Sequence, residues 1–308
     1  MPKTLRIGTR SSPLALWQAN HIAQSIRTKF PDLKVDLVQI QTKGDAILHA
    51  SLSRLGGRGV FTREIENALL QGTVDIAVHS LKDLPTILPE GLCIAAVPER
   101  EDPRDALIAK YSRSLDALPK GSKVATGSLR RRAQILHLRP DIQIVDIRGN
   151  VGTRLRKFDE LKYHGMVLAR AGLLRLGWEN RIAATFEPEE ILSAVGQGAL
   201  AVQTRSDDIS LIERLSCLND ETAYREITAE RAFLHRLEGG CQIPIAARAI
   251  CRNGRLHLDG LIASLDGIEY IRGQESGAAC EAEKLGIRLA EKLLKNGAKS
   301  VLENIRNG

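Results

Sequence analysis

The sequence predicts an α/β fold, with two α/β domains in series and then a smaller α+β domain. Three observations carry this. Short β-rich runs alternate with helical patterns through the first half; the charged turn "PEREDPRDA" (98–106) interrupts that rhythm, which then restarts; and the last third departs from it, with a long helix followed by strands. Alternation of strand and helix is the pattern of a largely parallel sheet covered by helices. At 308 residues the chain exceeds one ordinary core and suffices for two or three.

In the first domain "LRIGTR" (5–10) reads as a strand. "SSPLALWQANHIAQSIRTKF" (11–30) reads as a helix in which Ser12 caps, Pro13 opens the first turn, and Ala15, Ala19, Ile22, Ala23, Ile26 and Phe30 share a face. "VDLVQIQT" (35–42) is a strand, "FTREIENALLQG" (61–72) a helix, and "VDIAVHS" (74–80) a strand that ends at the loop "LKDLP". After the charged turn, "SKVATGS" (122–128), the helix "LRRRAQILHLR", "DIQIVDIRG" (141–149), the helix "NVGTRLRKFDEL" and "GMVLAR" (165–170) make the second set. In the last part a helix over 220–237 stops at Gly239 and Gly240. Strands with turns at Asn253-Gly254 and Asp266-Gly267 follow, then a final helix from about Cys280 to Leu294.

Hydrophobic residues at 43% and charged residues at 26% exclude a disordered or fibrous chain. No apolar run reaches signal-peptide or membrane-span length, so no membrane association is expected and a cytoplasmic location is. Cys93, Cys217, Cys241, Cys251 and Cys280 are scattered, with no C-x-x-C pair, so neither a disulfide framework nor a metal site is expected. The bland role for each is a small buried hydrophobe. Cys241, in "LEGGCQIP", differs. No cysteine-hydrolase signature surrounds it, and its glycine flank gives room for a thiol that carries something covalently.

The net charge of +7 is concentrated. Residues 120–160 hold ten Lys and Arg against four Asp and Glu, which is six of the excess. Such a field predicts an anionic partner. Within it "TGSLRRRAQ" (126–134) runs a small hydroxyl-bearing turn into a helix start, where free N–H groups and forked guanidiniums together suit carboxylates or phosphates. A solvated basic face is the plainer reading, but three arginines at a helix N-terminus oppose its dipole and call for a compensating gain. "RGNVGTRLRK" (148–157) repeats the theme. Nucleic acid is not the expected partner: aromatics are 4% and none lies among the arginines, so the stacking platform is missing, and no recognition motif appears.

In "VDIAVHSLKDLP" (74–85), Asp83 follows a strand end beside Lys82. A carboxylate there can stabilise a developing cation or relay a proton; a turn-forming Asp bonded to its own backbone is the alternative. His79 could be a base, though a strand histidine is more often simply packed.

The stretches "RIGTRSSPLALWQA", "TKGD", "GGRGVFTREIE", "DIAVHSLKDLP", "EREDPRDA", "TGSLRRRAQ", "IRGNVGTRL", "AVGQGALAV" and "RLEGGCQIPI", in this order and spacing, resemble the porphobilinogen deaminase (hydroxymethylbilane synthase) family from about residue 5 to the C-terminus. The resemblance implies two α/β domains arranged like periplasmic binding proteins around a cleft, with "SAVGQGALAVQT" crossing back. Domain 1 would comprise 1–98 and 199–216, domain 2 104–192, and domain 3 220–308. It implies a dipyrromethane cofactor joined by a thioether to Cys241. On that primer four porphobilinogen molecules would be deaminated and condensed, and hydrolysis would release hydroxymethylbilane. Asp83 would be catalytic, stabilising the azafulvene formed by deamination. Arg10, Ser12, Lys82, Thr126, Ser128, Arg130, Arg131, Arg148, Arg154 and Arg175 would bind cofactor and substrate side chains, and a monomer is implied. Three positions depart from the family's commoner pattern. Arg58 stands for Lys and keeps a loop contact's charge, Gly127 stands for Ser, and Arg170 replaces a small or apolar residue. A non-catalytic anion receptor with a similar cleft is the competing class; it would need neither Asp83 nor Cys241.

Overall fold

The alternating apolar residues of Thr4–Thr9 form the first strand, β1, in which Leu5 and Ile7 are fully buried. The computed structural model describes residues 4–42, 62–238 and 243–307. Helix α1 (Pro13–Lys29) begins as its sequence requires: the Ser12 hydroxyl accepts from the Ala15 N–H and Pro13 fills the first turn. Its Ala19, Ile22, Ala23 and Ile26 face inward. β2 (Lys34–Gln39), α2 (Arg63–Leu70), β3 (Ile76–Ser80) and β4 (Leu92–Ala96) follow.

The second series opens with β5 (Asp105–Ala109) and continues through β6 (Lys123–Ala125), α3 (Leu129–Leu138), β7 (Gln143–Val145), α4 (Val151–Glu160), β8 (Gly165–Ala169), α5 (Arg170–Arg175) and β9 (Ala184–Thr185). β10 (Leu200–Arg205) and α6 (Ile209–Leu215) lead to α7 (Glu221–Arg236). The hairpin strands β11 (Ile245–Arg252), β12 (Arg255–Ala263) and β13 (Tyr270–Ala278) precede α8 (Ala282–Leu293) and α9 (Lys299–Asn307).

The fold class is α/β as expected; the described residues form two five-stranded sheets and a separate three-stranded antiparallel one. Both large sheets are mixed rather than simply parallel. In the first, ordered β2-β1-β3-β10-β4, β1 is parallel to β2 and β3 while β10 runs antiparallel to β3 and β4. In the second, ordered β7-β6-β8-β5-β9, β5 is the reversed strand. A fully buried apolar run looks alike in either direction, so the local pattern could not reveal the reversals. The final helix is also longer in scope than expected: α9 follows a kink at Asn296 and Gly297 and buries Val301 and Leu302.

Two compact units result, Met1–Glu101 with Ala199–Tyr224, and Asp102–Gly198 with Arg225–Gly308. The three-stranded sheet and the second five-stranded sheet therefore belong to one unit. Ala133, Leu192, Ala246, Leu261 and Ala263 form a shared core there, with Tyr270 packed on it. The turn before β13 rests on the backbone of α3: the ring of His137 stacks on Tyr270 at 3.9 Å, and its Nδ1 is 2.9 Å from the Gly267 carbonyl oxygen. Gly267 has φ +75°, and a Cβ there would strike the Ala133 carbonyl. Gly267→Ala is thus expected to destabilise the chain by at least about 1–3 kcal/mol, read as a lower urea midpoint. An unchanged midpoint would show that this turn does not clamp α3.

Candidate functional site

Strands β1 and β3 lie side by side in parallel, so the residues after them emerge at the same sheet edge, where open α/β sheets gather ligands. A cavity of about 70 Å³ is lined there by Arg10, Ser12, Gln18, His79, Ser80 and Asp83 among others. Asp83 sits on a single 3-10 turn, Leu81–Asp83. That turn is pinned on both sides: Leu81 and Leu84 are buried, the Leu81 N–H donates to the Ala199 carbonyl at 3.0 Å, and the Leu84 N–H donates to the Leu81 carbonyl. The Asp83 carboxylate is left exposed and Lys82 half-buried. A fixed backbone beneath an open carboxylate can present that charge to a ligand. Gln18, buried, holds the Ser80 hydroxyl, its Nε2 donating at 2.8 Å.

His79 is buried, and its pKa is lowered to about 4 by that burial, with the Arg10 charge adding. The ring is neutral at pH 7 and a poor proton acceptor, which favours the packed-histidine reading. Because its folded pKa lies below the unfolded value of about 6.5, this group's stabilisation is complete above pH 6.5 and is lost as pH falls toward 4. His79→Gln should remove that slope, worth up to about 3 kcal/mol across the window. Unfolding free energies measured from pH 7 to pH 4 in both chains check it, and parallel curves would refute it.

The second unit supplies the arginines. Thr126, buried, accepts the Ser128 N–H at 3.3 Å, and Ser128 caps α3 by accepting the Arg131 N–H. Arg130 and Arg131 in the first turn are each 5% exposed, so they do not form a solvated face. Both reach Asp105, which is fully buried: Arg130 Nη1 is 2.7 Å from Oδ2, and Arg131 Nη2 is 2.7 Å from Oδ1. This carboxylate is the gain that offsets two cations at a helix N-terminus. Burial alone would raise the Asp105 pKa, but the two guanidiniums override it and hold the carboxyl well below the usual range. Arg132 is exposed.

The remaining arginines are placed by short contacts. Arg148 follows β7 and pairs with Asp146 at 3.0 Å, while Lys157 Nζ donates to the Arg148 carbonyl. Arg154 lies in the first turn of α4, capped by Asn150. Arg175, buried at the end of α5, donates to the Gly198 carbonyl at 2.7 Å. Arg170 pairs with Asp102 at 2.8 Å and donates to the Thr185 hydroxyl, so it serves the frame of this unit. At Gly127 a Cβ would lie 3.0 Å from both Asp146 Oδ1 and the Ile147 carbonyl, which gives the absence of a side chain there a packing reason. Arg58 and Cys241 lie outside the described residues.

The first unit thus brings Arg10, Ser12 and Asp83 around one cavity, with Lys82 on the same turn as Asp83. The second brings Thr126, Ser128, Arg130 and Arg131 to the start of α3. The sequence reading missed Asp105 and Gln197. Asp105 stands in the charged turn of 98–106 by sequence but is the first residue of β5 in the structure; Gln197 Nε2 donates to Asp105 Oδ1 at 2.8 Å and to the Pro103 carbonyl, contacts that no local pattern signals.

Residues 5–213 match the family model described as porphobilinogen deaminase, dipyromethane cofactor binding domain, and residues 224–295 match the porphobilinogen deaminase C-terminal domain. The chain is 50% identical over 300 residues to a porphobilinogen deaminase of Syntrophomonas wolfei, covering 97% of this chain and 98% of that one. It is 47% identical over 304 residues to one from Pelobacter propionicus, with 99% and 98% coverage. Among solved structures, a periplasmic substrate-binding protein of an ABC transporter from Coxiella burnetii is similar with a TM-score of 0.45 and 16% identity, over 72% of this chain and 96% of that one.

Proposed function

The chain belongs to the porphobilinogen deaminase family, and from that membership we propose how its own residues carry the activity. The enzyme is a transferase of tetrapyrrole biosynthesis that deaminates porphobilinogen and condenses four molecules of it on a dipyrromethane cofactor, releasing hydroxymethylbilane. The bound dipyrromethane supplies an electron-rich pyrrole carbon at which the next ring is joined.

The residues present suit such a group. Each pyrrole carries an acetate and a propionate, so the growing product is a polyanion, and Arg130 offers a buried guanidinium whose Nε has no partner among the described residues. Cys241 would carry the thioether. Arg130, Arg131, Arg148, Arg154 and Arg175, with Thr126 and Ser128, would hold carboxylates by charge-assisted hydrogen bonds; Arg10, Ser12 and Lys82 would do so in the first unit, and Arg58 would add a loop contact. Asp83 would face the pyrrole nitrogen of the incoming substrate and stabilise positive charge as the C–N bond to the departing ammonia lengthens. The observation that carries this reading is the open Asp83 carboxylate on a pinned turn, lining one cavity with Arg10 and Ser12.

We read residues 1–98 with 199–216, 104–192 and 220–308 as the functional domains, the last for cofactor attachment. The working form would be a cytoplasmic monomer that takes no nucleic acid. No described helix is long and apolar enough to cross a membrane. Incubation with porphobilinogen should release one ammonia per substrate consumed and accumulate a linear tetrapyrrole. A chain that consumes no porphobilinogen would overturn the reading.

A further inference from the structure

Arg130 and Arg131 are neighbours in sequence, equally buried and bound to one carboxylate, yet the protein uses them unequally. Among the described residues Arg131 makes four side-chain hydrogen bonds: Nε and Nη2 to Asp105 Oδ1, Nη2 to Gln197 Oε1 and Nη1 to the Val167 carbonyl. Arg130 makes two with described residues, both through Nη1, to Asp105 Oδ2 and the Leu192 carbonyl. Its Nε is buried without a partner among the described residues. A guanidinium presents five donors in a rigid fork, so fixing one nitrogen against two acceptors sets the direction of the whole group and leaves its other donors for a ligand.

Asp105 is the common anchor, and it is itself held. Gln197 donates to its Oδ1 at 2.8 Å and to the Pro103 carbonyl at 2.6 Å. Gln197 lies between Gly196 (φ +72°) and Gly198 (φ +87°), both left-handed, a turn that side-chain-bearing residues resist. The Gly196 N–H donates to the buried carboxylate of Glu230 on α7, and the Gly198 carbonyl accepts from Arg175. The Gly196–Gly198 turn is therefore tied at each residue, and its central side chain fixes the carboxylate on which both arginines sit.

We propose that Asp105, locked by Gln197, is a positioning residue for anion binding: it ties most of the Arg131 donors to the frame, leaving that residue one Nη1 hydrogen for a carboxylate, and orients Arg130 toward a carboxylate of the pyrrole ligand. This rests on the family reading above. One +1 charge in the cluster is left unbalanced by Asp105, and a ligand carboxylate would balance it. The opposite effect is physically available, since an Asp that merely competed with the ligand would, once removed, leave two free cations and tighter anion binding.

The test compares purified wild type, Asp105→Asn, Gln197→Met and Cys241→Ser by intact mass, with circular dichroism and thermal unfolding on the same samples. Wild type should carry an increment of two pyrrole units. In Asp105→Asn the fraction of folded chains carrying it should fall at least about tenfold; in Gln197→Met the loaded molecules should show a KM for porphobilinogen raised at least about tenfold, with kcat within about threefold. A purely structural role would lower the unfolding temperature but leave every folded chain loaded and KM unchanged, and that result overturns the proposal, as does tighter loading in Asp105→Asn. If Asp105→Asn fails to fold, Gln197→Met decides alone. Wild type with no increment, like Cys241→Ser, would sink the family reading first and this proposal with it.

Discussion

Asp83→Asn is expected to lower kcat by about two to four orders of magnitude, with KM for porphobilinogen changed far less. The substitution keeps size and shape and removes the charge. Asp83 is exposed, and its turn is held by Leu81, Leu84 and the Ala199 carbonyl rather than by its own side chain, so stability should stay within about 0.5 kcal/mol. The loss would therefore be of an interaction strongest in the transition state, where positive charge develops as ammonia leaves. Single-turnover kinetics with thermal unfolding on the same sample check this. A raised KM with normal kcat would place Asp83 in binding, and a lowered unfolding temperature would return it to the turn-forming role that the sequence left open.

Asp105→Ala is expected to cost about 3–5 kcal/mol of stability. Asp105 is fully buried, and its loss leaves Arg130 and Arg131, each nearly as deep, without their counter-ion and leaves the Gln197 amide short of one acceptor. Replacing a whole buried cluster by apolar residues is often neutral, but removing one partner leaves uncompensated charge. The sign with pH follows: a carboxyl held well below its unfolded range contributes fully above about pH 4 and loses that contribution only as acid protonates it. Urea unfolding at pH 7 measures the cost; less than about 1 kcal/mol would mean that water or a rearranged side chain replaces Asp105.

Much of the molecule was legible before the structure. Ser12 and Pro13 start α1 as written, the helical stretches "LRRRAQILHLR" and "NVGTRLRKFDEL" become α3 and α4, and Asn253-Gly254 joins β11 to β12. These are local effects, decided within four or five residues. What stayed hidden was long-range. β10 enters the first sheet from 120 positions beyond β3, and nothing in its apolar run announces direction. Asp105 stands in "PEREDPRDA" as one charge among many, and only burial beneath α3 distinguishes it from Asp102, which pairs with Arg104 and Arg170 nearer the surface. The arginine set was visible as a charge excess; the division of labour within it was not, because it depends on the carbonyls of Val167 and Leu192 and on a glutamine 66 residues away.

A covalent pyrrole primer elongated by this chain would be visible in the intact mass of the purified protein with and without porphobilinogen, alongside Cys241→Ser. Wild type should show an excess of two pyrrole units that grows stepwise with substrate and is absent from the variant. A wild-type chain at its bare mass that gains nothing from porphobilinogen would contradict it.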